Sequence, residues 1–138
     1  MPPSPVRIFL VDDFAPLRKE LSLILQNHTR FQIVGETGDG LDAVRIAKEL
    51  KPDLILLDIG LPNLNGIQVA EQIQSDAPAV KIIFVTQIDD PEVVRAAVDC
   101  GSRGYVLKSE AQRELLQTIE DVLVGKSFVS RRLRKLLL

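Results

Sequence analysis

Asp12-Asp13, Asp58, Thr86 and Lys108 each follow directly on an apolar run: Ile8-Phe9-Leu10-Val11, Leu54-Ile55-Leu56-Leu57, Ile82-Ile83-Phe84-Val85 and Tyr105-Val106-Leu107 respectively. Parallel strands in one sheet deliver their last residues to the same end, so three carboxylates, a hydroxyl and an ammonium are expected to meet there. Three acids in a partly desolvated crevice repel one another, and their titrations couple unless cations hold them ionised. Lys108 can supply one positive charge and a divalent cation two more; oxygen ligands with room for water suit magnesium. Such a set can receive a phosphoryl group. A carboxylate attacks phosphorus, the cations neutralise the equatorial oxygens, and the Thr86 hydroxyl donates a hydrogen bond. Each acid alone has a plainer reading, Asp12 and Asp13 as helix caps and Asp58 as the start of a turn. The set is what points to chemistry.

The elements that must position these residues are readable from the apolar patterning. Runs rich in Val, Ile, Leu and Phe at Val6–Val11, Phe31–Gly35, Asp53–Leu57, Val80–Val85 and Gly104–Leu107 read as strands covered on both faces. Each is followed by helical spacing, over 15–27, 40–50, 66–75, 91–100 and 110–124. Asp90-Pro91 sets an N-cap before a first-turn proline, Ser109-Glu110-Ala111-Gln112 has the form of a capping box, and Gly101 marks the end of the fourth helix. Right-handed crossovers then give an α/β fold. The expectation is a flavodoxin-like doubly wound, five-stranded parallel sheet of order 2-1-3-4-5 with five helices in three α/β/α layers.

Composition limits the remaining options. With 46% apolar and 26% charged residues, this is a globular chain of one-domain size. His28 is the only histidine and Cys100 the only cysteine, so neither an internal disulfide nor a zinc cluster can form, and a reducing compartment is expected. Residues 126–138 carry five basic groups and no acid, leaving 12 basic against 19 acidic side chains, a net −7, on residues 1–125. So acidic a body argues against nucleic-acid binding by the main domain. The proline-rich lead-in 1–5 does not read as a signal peptide, and no apolar run reaches membrane-spanning length. Residues 6–125 are read as one domain and 126–138 as a basic, apolar linker or tail.

Val11-Asp12-Asp13-Phe14-Ala15-Pro16 puts acids where a dinucleotide fold has its glycines. With Leu56-Leu57-Asp58-Ile59-Gly60-Leu61-Pro62, Asn65-Gly66, Phe84-Val85-Thr86 and Gly101-Ser102-Arg103-Gly104-Tyr105-Val106-Leu107-Lys108, it makes the chain closely resemble, over nearly all of 6–125, the CheY-like receiver domain of two-component response regulators. The lead-in to the fifth strand and the tail most resemble the NarL/FixJ branch, whose output is a LuxR-type helix-turn-helix domain. The resemblance implies Asp58 as phospho-acceptor from a histidine kinase, and magnesium on Asp12, Asp13, Asp58 and the main-chain carbonyl of Gly60. It implies Thr86 and Lys108 as phosphoryl contacts and Tyr105 as the aromatic that follows Thr86; the plainer reading of Tyr105 is a strand aromatic with its hydroxyl in water. The chain is thus expected to be a switch that catalyses only its own phosphorylation and dephosphorylation, not a turnover enzyme. It is expected in the cytoplasm and off membranes, with a histidine kinase and, on phosphorylation, a second copy as partners. DNA would be reached only through an output domain not in this chain. A haloacid-dehalogenase phosphohydrolase would need D-x-D after its first strand, where Asp12 and Asp13 are adjacent.

Two departures bear on rates. Gln87 stands where receivers have a small residue, so transfer from small donors is expected to be slow. Gly60 and Ile88 offer no side chain able to orient a hydrolytic water, so a long-lived phosphoaspartate is expected. His28 reads as a surface histidine at a helix end and Cys100 as half-buried packing. The last helix, with Leu115, Leu116, Ile119, Val122, Leu123 and Val124, carries more apolar surface than one buried stripe needs. A dimer face or contact with the 126–138 tail would each account for it.

Overall fold

The computed structural model describes residues 4–137; Met1, Pro2 and Pro3 of the lead-in, Leu138, and the side chains of Leu136 and Leu137 lie outside what is described. The strands are β1 (Val6–Val11), β2 (Phe31–Thr37), β3 (Leu54–Leu57), β4 (Lys81–Thr86), β5 (Gly104–Leu107) and β6 (Phe128–Val129). The helices are α1 (Ala15–Gln26), α2 (Gly40–Leu50), α3 (Gly66–Asp76), α4 (Pro91–Asp99) and α5 (Ala111–Leu123). All pairs are parallel, in the order β2-β1-β3-β4-β5-β6. The doubly wound sheet is as expected, but it has six strands where the patterning gives five. After α5, Gly125 at φ +87° turns the chain back and Phe128 and Val129 pair with Gly104 and Tyr105. Two residues are too short to show a strand period.

Alternation along the central strands sorts the core into two layers. Ile8, Leu10, Leu54, Leu56, Ile83, Val85 and Val106 pack against α1 and α5. Phe9, Val11, Ile55, Leu57, Ile82, Phe84, Tyr105 and Leu107 pack against α2, α3 and α4. Full burial of each such aliphatic side chain stabilises by about 1.5–3 kcal/mol, which holds the sheet rigid beneath its loops. On α5, Leu115, Ile119 and Val122 are fully buried; Leu116 and Leu123, like Phe128 of the tail, are partly buried against the same core layer, and Val124 just past the helix is exposed.

Helix starts are fixed locally. Asp90 caps α4, and Asp39 caps α2 by accepting from Asp42 N. The capping box lies at Asn65 and Gln68 on α3; Ser109 forms none, because Lys108–Glu110 make a 3₁₀ turn ahead of α5 and Ser109 falls inside it. Two glycines let the β3–α3 loop pack tightly. A Cβ at Gly66 would lie 2.1 Å from the Asp58 carbonyl oxygen, and one at Gly40 would lie 1.9 Å from that of Leu64. The loop that begins at Asp58 is therefore clamped between α2 and the start of α3.

Candidate functional site

The carboxyl ends of β1, β3, β4 and β5 bring the expected residues together. Asp13, Asp58, Gly60, Thr86 and Lys108, with Phe14, Leu17, Gln87 and Ile88, line one crevice of about 470 Å³. Asp12 lies beneath it, 2% exposed, and Asp58 is 5% exposed at its floor. Asp13 is exposed. Carboxylate oxygens of Asp12, Asp13 and Asp58 all fall within 4.8 Å of one another.

Lys108 bridges two of these acids. Its Nζ lies 2.9 Å from Asp12 Oδ2 and 3.0 Å from Asp58 Oδ2. The other Asp58 oxygen, Oδ1, accepts from Ile59 N at 2.8 Å, which fixes the carboxylate plane. Asp12 Oδ1 accepts from Phe14 N, making a turn bond just ahead of α1 rather than a cap within it. The geometry makes Lys108 a charge contact of Asp12 Oδ2 rather than a hydrogen-bond donor, so this buried oxygen keeps an acceptor valence unfilled. Burial raises the pKa of Asp12 above the usual carboxylate value, against the lowering effects of the Phe14 N–H and of Lys108. At Lys108 burial alone would favour the neutral amine, but the adjacent carboxylates of Asp12 and Asp58 together outweigh it and the net shift is upward, keeping the ammonium charged.

An orphaned, buried carboxylate oxygen beside two more carboxylates is a donor set of hard oxygens, the chemistry that fits a divalent cation such as Mg²⁺. Gly60 is exposed at the rim, and a Cβ there would meet nothing within 4 Å. The crevice is open above its main chain.

Thr86 is fully buried, its Oγ1 accepting from Ile88 N at 3.4 Å. Tyr105 is fully buried against Phe84, and its hydroxyl donates to the Ile88 carbonyl at 2.7 Å, so it is held by the β4–α4 loop rather than by water. Burial pushes its phenol well above the ordinary value. Gln87 is exposed at the crevice mouth. The remaining candidates lie elsewhere. His28 is exposed beyond α1 beside Phe31, and Cys100 is half-buried at the end of α4 with its thiol donating to Ala97 O.

Arg18 was not singled out from the sequence. It donates to the main-chain carbonyl of Asp12 and pairs with Glu36, bracing the turn that carries both N-terminal acids. The only sequence signal is a cation one turn into a helix whose start is flanked by acids. Phe14, 59% exposed over the crevice, is a second such residue.

Comparisons with known proteins converge on the same reading. Residues 8–120 match the family described as response regulator receiver domain. The response regulator protein VraR of Staphylococcus saprophyticus is 36% identical over 124 residues, 89% of this chain and 59% of that protein. The uncharacterized transcriptional regulatory protein YxjL of Bacillus subtilis is 34% identical over 122 residues, 88% of this chain and 56% of that protein. The chain thus spans little more than half the length of these curated relatives. A LuxR-family two-component response regulator from Aurantimonas sp. SI85-9A1 superimposes with a TM-score of 0.90 at 30% identity, covering 96% of this chain and 94% of that one. A LuxR-family DNA-binding response regulator from Staphylococcus aureus does so at 0.80 and 31%, covering 85% and 98%.

Proposed function

The chain belongs to the response regulator receiver domain family, and from that premise we propose that it is a phospho-accepting switch whose acceptor is Asp58. The observation that carries this is the placement of Asp58: a buried carboxylate opening onto a crevice shared with Asp13, Thr86 and Lys108, and held by Lys108 at 3.0 Å. One Asp58 oxygen attacks the phosphorus of a histidine kinase's phosphohistidine; the P–N bond breaks, its electron pair returns to the imidazole, and an acyl phosphate forms. Lys108 neutralises and the Thr86 hydroxyl hydrogen-bonds the equatorial phosphoryl oxygens, while the attacking carboxylate oxygen and the leaving nitrogen lie in line. Asp12, Asp13, Asp58 and the Gly60 carbonyl would hold Mg²⁺, which when bound supplies charge neutralisation at the phosphoryl oxygens.

Turnover is not the purpose of this chemistry, which modifies the chain itself. A phosphoryl dianion draws Thr86 inward, and Tyr105, tied to Ile88 two residues away, follows; the faces of α4, β5 and α5 change with it. The histidine kinase and a second copy on phosphorylation are the proposed partners, in the cytoplasm. DNA enters through a LuxR-type output domain of the kind its relatives carry. The receiver unit is assigned to residues 6–125, with 126–138 leading toward the output. No helix among the described residues is long and apolar enough to cross a membrane.

Intact mass after incubation with acetyl phosphate and Mg²⁺ tests this. Wild type is expected to gain one phosphoryl group and Asp58→Asn none; undiminished labelling of the variant would refute the assignment. With glycine at 60 and isoleucine at 88, the phosphoaspartate is expected to last minutes or longer. A half-life of seconds contradicts that expectation.

A further inference from the structure

We propose that Ser130, beyond the last helix, is a positioning residue for Lys108, and that docking of residues 128–133 on β5 is thereby coupled to occupancy of Asp58. The inference rests on the reading of Asp58 as phospho-acceptor. β5 is only four residues long and is paired with β4 on one side. Its other side is met by β6 for just two residues, through Phe128 N to Arg103 O at 2.9 Å and Ser130 N to Tyr105 O at 2.8 Å. One residue further the ladder is continued by a side chain: Leu107 N donates to Ser130 Oγ at 3.0 Å.

Leu107 and Ser130 are 1% and 0% exposed, so no water can replace this bond. The hydroxyl is itself fixed, because it donates to Glu114 Oε1 on α5 at 2.6 Å, while Glu114 Oε2 accepts from Arg131 N at 3.4 Å. Lys108 is the next residue after Leu107. The bonded N–H belongs to the Val106–Leu107 peptide, so Ser130 fixes the last peptide of the strand before Lys108, and with it the point from which the lysine side chain reaches Asp12 and Asp58.

The same segment touches the other half of the switch. Leu133, 1% exposed, sits in the core layer that contains Tyr105, and Arg132 pairs at 3.4 Å with Asp89. Asp89 follows Ile88, whose carbonyl holds the Tyr105 hydroxyl. The tail therefore grips β5 by its main chain and the β4–α4 loop by its side chain. A segment bonded to both elements that contact the phosphoryl group cannot be indifferent to it, and linkage makes the effect reciprocal.

Tyr105 is the only tyrosine and the chain has no tryptophan, so its fluorescence reads the switch directly. The full chain is titrated with beryllofluoride in Mg²⁺, by fluorescence and calorimetry, with hydrogen exchange of residues 128–133 measured in parallel. Wild type is expected to bind, and binding to slow exchange in 128–133. Ser130→Ala is expected to bind about 3- to 10-fold more weakly, the worth of one net hydrogen bond, and Ser130→Thr to recover most of the loss. Arg132→Ala, a surface change, carries the same test with a smaller shift if Ser130→Ala does not fold. Beryllofluoride affinity unchanged in Ser130→Ala, or in Arg132→Ala where it stands in, overturns the coupling and leaves Asp58 in place, as does tail exchange indifferent to beryllofluoride. Failure of wild type to bind removes both readings.

Discussion

The two ends of the sheet hold the same kinds of side chain under different conditions. At the carboxyl end Lys108 lies between Asp12 and Asp58, whose side chains are 3% and 7% exposed. At the amino end Lys48 meets Asp76 at 3.4 Å, with 63% and 48% of the side chains in water. An exposed pair is screened and worth about 0–1 kcal/mol. Removing one partner of a buried set leaves uncompensated charge and costs about 3–5 kcal/mol. The amino end also has the larger hollow, about 610 Å³ lined by Val6, Ala47, Pro52, Ile73, Ala77 and Val80 among others, against about 470 Å³ for the crevice over Asp58. Size does not mark the functional end. What marks the proposed site is the convergence of charge from three strand ends, with the Thr86 hydroxyl from a fourth.

The contrast can be broken most forcefully at its charged centre. Lys108→Ala is expected to lower Mg²⁺-dependent phosphorylation about 100-fold, as loss of one preorganised cation does, and to destabilise the fold by about 3 kcal/mol in urea melts at pH 7. A variant as stable and as readily labelled as wild type would equate the two ends. Next in size is Gly66→Ala, whose Cβ would meet the Asp58 carbonyl at 2.1 Å. A cost of about 2–3 kcal/mol is expected, while Gly60→Ala, with open space around it, should change stability by no more than about 0.5 kcal/mol. Equal melting temperatures for the two would show that the loop is not clamped.

Tyr105 sharpens the comparison through pH. Burial raises its phenol above the ordinary value of 10.0. Above pH 10 the unfolded chain therefore loses this proton while the folded chain keeps it, and stability falls with rising pH by up to about 1.4 kcal/mol per unit. Tyr105→Phe is expected to flatten that alkaline fall and leave neutral pH profiles parallel; an unchanged slope would mean the hydroxyl is not sealed against Ile88. Smallest of all is Lys48→Ala, expected to shift stability by about 0.5 kcal/mol or less and labelling not at all.

Much of this was legible because a strand buried on both faces must be apolar throughout. β1, β3, β4 and β5 announce themselves, and so do the polar residues that end them; topology alone then brings Asp12, Asp58, Thr86 and Lys108 together. What escaped depends on pairing rather than pattern. β6 is two residues long within a basic segment, with nothing periodic to see. Ser109-x-x-Gln112 has the letters of a capping box, but β5 passes directly into a 3₁₀ turn that consumes the serine. Arg18 reaches the Asp12 carbonyl across a turn whose shape no local rule predicts. β2 runs two residues past its expected end because, at the sheet edge, Glu36 and Thr37 pair with Leu10 and Val11 despite their polarity.

The most direct test of the central claim is to locate the phosphoryl group. Wild-type protein phosphorylated with acetyl phosphate and Mg²⁺ is reduced with borohydride, which converts an acyl phosphate of aspartate to homoserine, and the peptides are sequenced by mass spectrometry. Homoserine at position 58 and nowhere else is the result expected of a carboxylate held at the crevice floor by Lys108. Homoserine at position 12 or 13 instead, or a labelled chain with none, would contradict the account.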